Sequence, residues 1–116
     1  PEGRTDLETD GSYPSGHSAV GWGWALILSQ LAPERAEAIL SRGRDYARSR
    51  MVCNVHWMSD TEAGMAVGAA AFAQLQNNAL YQATMRAARL ELDAKTLAKP
   101  NPQACAEEAE ILSVGR

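Results

Sequence analysis

The chain's two histidines stand in two polar segments, Gly11-Ser12-Tyr13-Pro14-Ser15-Gly16-His17 and Ser49-Arg50-Met51-Val52-Cys53-Asn54-Val55-His56-Trp57-Met58-Ser59-Asp60. Hydroxyls, a glycine, an arginine and a carboxylate surround them, a set suited to holding an anion and moving a phosphoryl group. Phosphoryl transfer asks for positive groups and N–H donors around the equatorial oxygens, a nucleophile in line, and an acid for the leaving oxygen. Ser15 offers a hydroxyl and Gly16 an unobstructed backbone N–H, at the start of a predicted helix whose positive end favours an anion. Arg50 can grip phosphate oxygens through two of its nitrogens. His56 can attack phosphorus if its other nitrogen is held, and Asp60 is the acceptor one helical turn on if the backbone there is helical. His17 is then left to protonate the departing alcohol.

Each of these residues also has a plainer reading. Ser at a helix start is usually a cap, Arg50 could pair with an acidic side chain, and Asp60 can cap a helix and orient His56 at once. A serine-hydrolase arrangement using Ser15 or Ser59 fails on context, because there is no Gly-x-Ser-x-Gly turn and no strand to mount it. Trp22, Trp24, Trp57, Tyr13 and the methionines read as core or pocket wall rather than chemistry.

The elements that must position these groups are helices. Pro1 to Ser15 is rich in turn formers and reads as a loop. From Ser18 to Leu31 the chain is apolar nearly all round, which predicts a buried helix, with Gly21 and Gly23 allowing close packing. Pro33 suits the first position of a second helix running to about Arg48, with Ala36, Ile39, Leu40, Tyr46 and Ala47 on one buried stripe. Ser49 to Val55 could pass for a strand, but nothing offers it a partner, so an irregular link is expected. Ser59 or Asp60 can cap a third helix through Leu75, rich in small residues. A fourth is expected from Ala79 to about Leu92. Lys99-Pro100-Asn101-Pro102 ends the pattern, and Ala104 to Leu112 reads equally as a short helix or a frayed terminus. The expected fold class is therefore all-α, with residues 1–17 a loop, 18–95 a helical core and 96–116 a tail.

Composition narrows the function. A chain of 116 residues with 46% hydrophobic content fits one modest domain or part of one. A net charge of −3 argues against nucleic acid as partner, since phosphate backbones select clustered positive charge; Arg42, Arg44, Arg48 and Arg50 cannot share one helix face and read mostly as solvated surface. The longest nearly apolar run, Ala63 to Ala73, falls short of the roughly 20 residues that span a bilayer, so no membrane is expected as partner. Pro1-Glu2-Gly3-Arg4-Thr5-Asp6 has neither the basic start nor the apolar stretch of a signal peptide and reads as the internal start of a processed or truncated polypeptide. Cys53 and Cys105 are too few for a disulfide scaffold or a zinc site; a bridge between them, two separate thiols, or a bond to another chain all remain open.

Tyr13-Pro14-Ser15-Gly16-His17 and Ser49-Arg50 followed, after five residues, by His56 and then Asp60 resemble the second and third signature motifs of the type 2 phosphatidic acid phosphatase superfamily. Within it, the fuller segments Gly11–His17 and His56-Trp57-Met58-Ser59-Asp60 look most like bacterial class A nonspecific acid phosphatases, and the resemblance runs from Gly11 to about Leu75. It implies an all-helical bundle, also shared with vanadium haloperoxidases, that is periplasmic or secreted. In that reading His56 is the nucleophile forming a phosphohistidine, His17 the acid and then base, and Asp60 the orienting group. Ser15, Gly16, His17 and Arg50 would bind the phosphate. No metal or other cofactor would be required; phosphate, or vanadate as its mimic, would fill the site. The substrate would be a small phosphomonoester, and a homo-oligomer is compatible with the pattern.

Two departures matter. The family's first motif, a lysine and, seven residues on, an arginine followed by proline, is absent, since Lys95 and Lys99 are the only lysines and follow the other motifs. The chain thus reads as the C-terminal part of such an enzyme, lacking its N-terminal helices and expecting an upstream segment with the missing motif as partner. Asn54 also stands where glycine is common, though Asn tolerates left-handed backbone geometry. Three rival readings are a vanadium-dependent haloperoxidase, a lipid-phosphate phosphatase, and a non-catalytic fragment that needs a partner segment.

Overall fold

The structure, a computed structural model, describes residues 11–94 and 101–113. The predicted loop over 1–10 and the break at 95–100 lie outside the described residues. Among the described residues five α-helices follow one another, α1 Gly16–Leu31, α2 Ala36–Val52, α3 Met58–Leu75, α4 Ala79–Ala94 and α5 Pro102–Ser113, with one 3₁₀ turn at Pro33–Arg35 between α1 and α2. Among the described residues there is no strand, so the all-α expectation holds.

Local chemistry accounts for the boundaries. Ser15 is extended and its hydroxyl accepts the Ser18 N–H, at 3.2 Å, capping α1. Pro33 opens the 3₁₀ turn, where its missing N–H costs nothing. Asn78 and Asn101 cap α4 and α5 through their side-chain oxygens, accepting the N–H groups of Tyr81 at 2.9 Å and Gln103 at 3.0 Å. The tail therefore forms a helix, the first of its two predicted alternatives.

The link before His56 is shorter than expected. No helix breaker precedes Asn54, so α2 runs on through Val52 rather than stopping near Arg48. Its β-branched residues join helix and turn, not a strand. Helix α3 starts earlier than either predicted cap, because Trp57 is the N-cap and Asp60 sits three residues inside, reaching back to the Trp57 N–H at 3.0 Å.

Helix α1 is central, packing on α3 along one side and α2 along another, with α4 touching it more lightly. The α1–α3 contact is close because α3 presents Gly64 and Gly68. A Cβ at Gly64 would run into the Ser15 carbonyl oxygen, and one at Gly68 into that of Ala19. Toward α2 the fit is similar, since Gly21 lies under the Tyr46 ring and a Cβ at Gly43 would come within 2.6 Å of Ala25 Cβ. Helix α4 is tied to the far end of α1 by Arg89, whose guanidinium donates to the Leu31 carbonyl, and by the Tyr81 hydroxyl, which donates to Gln30 at 2.8 Å.

The expectation that α1 is buried holds only on two faces. Ala25 and Ala47 are the buried apolar residues among those described. Val20, Trp24 and Leu28 are exposed along an open groove of about 1150 Å³ between α1, α2, α4 and α5. Trp24, Trp57 and Tyr13 are likewise not core residues, at 67%, 76% and 66% exposure, and Trp24 forms part of that groove's wall. Cys53 and Cys105 are both free and exposed, so they do not bridge.

Candidate active site

The N-termini of α1 and α3 lie side by side, joined where the Ser15 N–H donates to the Asp60 carbonyl at 2.9 Å. Two positive helix ends thus share one corner of the molecule, a favourable setting for an anion. His17, in the first turn of α1, and His56, just ahead of α3, face each other across that corner with ring centroids 6.3 Å apart and planes at 60°. The structure therefore brings together the two histidines that lie far apart in sequence.

Asp60 is the hub. It is buried, at 3% exposure. Its Oδ2 accepts the Trp57 N–H at 3.0 Å and its Oδ1 the Ser59 hydroxyl at 3.2 Å. The Trp57 backbone N–H is the largest influence holding its carboxyl below the usual carboxylate range; burial opposes this, while the nearby Ser12 and Ser59 side chains and the His56 ring assist. Its proximity to His56 arises differently from the predicted helical pairing. His56 precedes the helix, and the carboxylate folds back over the first turn to leave Oδ2 3.6 Å from His56 Nδ1. That nitrogen is buried and has no hydrogen-bond partner. A buried polar atom left unpaired costs roughly 1–3 kcal/mol, so a small inward shift of ring or carboxylate that completes this bond is favoured.

Arg50 lies near the C-terminus of α2, half-buried, with no carboxylate partner among the described residues. The ion-pair alternative is thus not realised there. Its Nε and Nη2 both donate to the Ser49 hydroxyl, at 3.1 and 3.0 Å, and its guanidinium lies over the Tyr46 ring, 5.2 Å from the centroid. These contacts fix the direction of the side chain and leave its charge without an acidic partner among the described residues. Its carbonyl accepts the backbone N–H groups of Val55 at 3.1 Å and His56 at 3.3 Å, which ties the arginine's backbone to that of the histidine.

Ser15 is fully buried, and its Oγ also accepts the Ser18 hydroxyl at 3.0 Å. In this form the hydroxyl acts as the helix cap. Gly16 and His17, both exposed, carry first-turn N–H groups that have no carbonyl one turn back to bond, as at every helix start. The backbone at Gly16 and His17 is thus the accessible anion-facing part of the first segment.

The supporting residues were less visible in the sequence. Tyr46 precedes Arg50 by one helical turn and Ser18 follows Ser15 by the spacing of a capping contact, so local periodicity could have suggested both. Ser12 and Gly64 carry no such signal, because their partners, Asp60 and Ser15, belong to another segment. Among the described residues no group of three or more His, Cys, Asp or Glu side chains gathers as a metal site would need.

Comparison with known proteins finds bacterial acid phosphatases among the relatives of this chain. The chain is 46% identical over 95 residues to the non-specific acid phosphatase of Salmonella typhi, an alignment covering 82% of this chain and 38% of the relative. It is 44% identical over 90 residues to the acid phosphatase of Zymomonas mobilis subsp. mobilis, covering 78% and 34%. With the non-specific acid phosphatase of Providencia stuartii it shares 44% identity over 85 residues, covering 73% and 34%. The chain therefore spans little more than a third of the length of these relatives. The PAP2 superfamily profile matches residues 1–83, a stretch that contains both histidine segments and α1 to α3; the chain belongs to the PAP2 superfamily.

Proposed function

We propose that this chain carries the histidine half of an acid phosphatase site that hydrolyses small phosphomonoesters through a phosphohistidine. The observation that carries the proposal is the facing pair His17 and His56 at two adjoining helix N-termini. A spacing of 6.3 Å between ring centroids leaves room for one phosphoryl group, with reacting atoms about 3–3.5 Å apart in a productive complex.

In this mechanism Nδ1 of His56, the buried nitrogen beside Asp60, carries the proton, and Nε2 attacks phosphorus in line. The bond to the leaving oxygen breaks as His17 gives that oxygen its proton. His17, now neutral, takes a proton from water, which attacks the phosphohistidine and releases inorganic phosphate, returning both histidines to their starting states. Asp60 balances the positive charge that develops on His56. The N–H groups of Gly16 and His17, the guanidinium of Arg50 and the two helix ends hold the equatorial oxygens, with Ser15 fixing the loop and available to them through its hydroxyl proton. No metal or other cofactor enters these steps.

An upstream segment bearing a lysine and an Arg-Pro pair completes the cradle in this proposal. The relatives' greater length supports it, as does the position of Lys95 and Lys99 after both histidine segments. A periplasmic or secreted location is proposed on the same family basis; no described helix is long and apolar enough to cross a membrane.

The test compares p-nitrophenyl phosphate hydrolysis at acid pH by this chain alone, by the chain joined to the upstream segment, and by the joined protein with His56→Ala. Loss of one preorganised donor commonly costs about 10²- to 10³-fold, so the isolated chain should be nearly inactive and the joined protein active only with His56 present. Full activity of the isolated chain, or undiminished activity after His56→Ala, would overturn the proposal.

A further inference from the structure

Between Arg50 and His56 the backbone makes a turn that the two side chains' roles do not explain. Helix α2 ends at Val52, and Cys53 is its C-cap. Asn54 then adopts φ 55°, the positive-φ non-glycine residue among those described. Its N–H donates to the Met51 carbonyl at 2.8 Å, and the Val55 N–H donates back to the Arg50 carbonyl at 3.1 Å. This pair of bonds, around one left-handed residue just past the helix, is a Schellman cap. The His56 N–H adds a third bond, to the same Arg50 carbonyl, at 3.3 Å.

We infer that Asn54 is a positioning residue for the reaction proposed above, its left-handed backbone setting the distance and angle between Arg50 and His56. The inference rests on that reading of the two residues. A residue with φ below zero at this position would send the chain onward from α2 instead of back across its last turn. Val55 and His56 could then not both reach the Arg50 carbonyl. Asn holds this geometry more readily than other residues with a Cβ, because its short polar side chain tolerates the left-handed region, and glycine has no Cβ to oppose it. The arginine would stay anchored by Ser49 and Tyr46 on α2, while the histidine, outside both helices, would move. The consequence falls on attack at phosphorus more than on anion binding.

The test uses the full-length protein and p-nitrophenyl phosphate, comparing Asn54→Ala with Asn54→Gly and with Arg89→Ala, a change far from the site that loosens α4 from α1. Kinetic constants are referred to the folded fraction measured by circular dichroism at the assay temperature. Displacement on the order of 1 Å can cost about 10²-fold; Asn54→Ala should therefore lower kcat by about 10- to 100-fold with KM changed by less than about threefold. Asn54→Gly should restore kcat to within about threefold of wild type, and Arg89→Ala should lower stability with kcat unchanged. Wild-type kcat in folded Asn54→Ala overturns the inference, as does an Asn54→Gly protein as slow as the alanine variant. An active wild-type enzyme whose rate survives His56→Ala would instead overturn the phosphohistidine reading itself, so the two failures are distinguishable.

Discussion

Replacing Gly64 by alanine tests whether the close approach of α1 and α3 builds the site. The added Cβ would meet the Ser15 carbonyl oxygen inside any ordinary contact distance and Ser18 Cβ at 3.0 Å. Both neighbours are poorly placed to yield. Ser15 is held at its N–H by the Asp60 carbonyl, at 2.9 Å, and at its own carbonyl by the Ala19 N–H, at 3.0 Å; Ser18 is fully buried. Overpacking of this kind costs about 1–3 kcal/mol. The gain in helix propensity from Gly to Ala returns up to about 1 kcal/mol, and losing the Ser15–Asp60 bond would add about 1 kcal/mol. A net loss of about 1–3 kcal/mol follows. Because relief must carry Ser15, Gly16 and His17 away from His56, kcat should also fall, by about tenfold or more. Urea denaturation of the full-length protein, followed by circular dichroism, reads the first effect and p-nitrophenyl phosphate turnover the second. Gly23→Ala is the control, since its Cβ would have only the Gly68 carbonyl oxygen near it, at an ordinary 3.9 Å; it should be neutral or stabilising by up to about 1 kcal/mol. A Gly64→Ala protein within about 0.5 kcal/mol of wild type with unchanged kcat would refute the reasoning.

Gly68→Ala, one turn further from the site and blocked by the Ala19 carbonyl, should lose stability as Gly64→Ala does while keeping kcat, measured by the same two assays. The depressed pKa of Asp60 means the unfolded chain binds more protons than the native one just below the ordinary carboxylate value. The stability it contributes is therefore complete above about pH 4 and lost as pH falls through the lower native value; urea midpoints of wild type and Asp60→Asn should converge only below that pH. Tyr46→Leu removes the aromatic face under Arg50, worth about 0.5–1 kcal/mol, and should raise the inhibition constant for phosphate about two- to fivefold, whereas Tyr46→Phe should leave it unchanged.

Much of this arrangement could be read from local pattern, and the exceptions share a cause. The helices followed from apolar periodicity and breakers, and the histidine segments from residue type and spacing. Where the reading missed, a contact from another segment decided. Asp60 could be read as a helix cap, but its place three residues inside α3 depends on the Trp57 N–H and on the backbone that Ser15 lays across it. The apolar sequence of α1 predicted burial on every side, whereas the described residues cover only the sides facing α2 and α3 and leave Val20, Trp24 and Leu28 along the groove. Asn54, a departure from glycine in sequence, keeps the left-handed geometry that glycine would supply. That Arg50 meets no carboxylate among the described residues was not readable at all, since it depends on which side chains the fold brings to it.

The central claim is that His56 takes the phosphoryl group and His17 helps to release it. Rapid quenching of the full-length protein with p-nitrophenyl phosphate at acid pH, followed by mass spectrometry under alkaline conditions that preserve phosphohistidine, tests it directly. The account predicts phosphate on His56 in the wild type, a larger phosphorylated fraction in His17→Ala, where water is no longer activated, and none in His56→Ala. Phosphate carried by another residue, or turnover with no phosphorylated protein in either the wild type or His17→Ala, would contradict it.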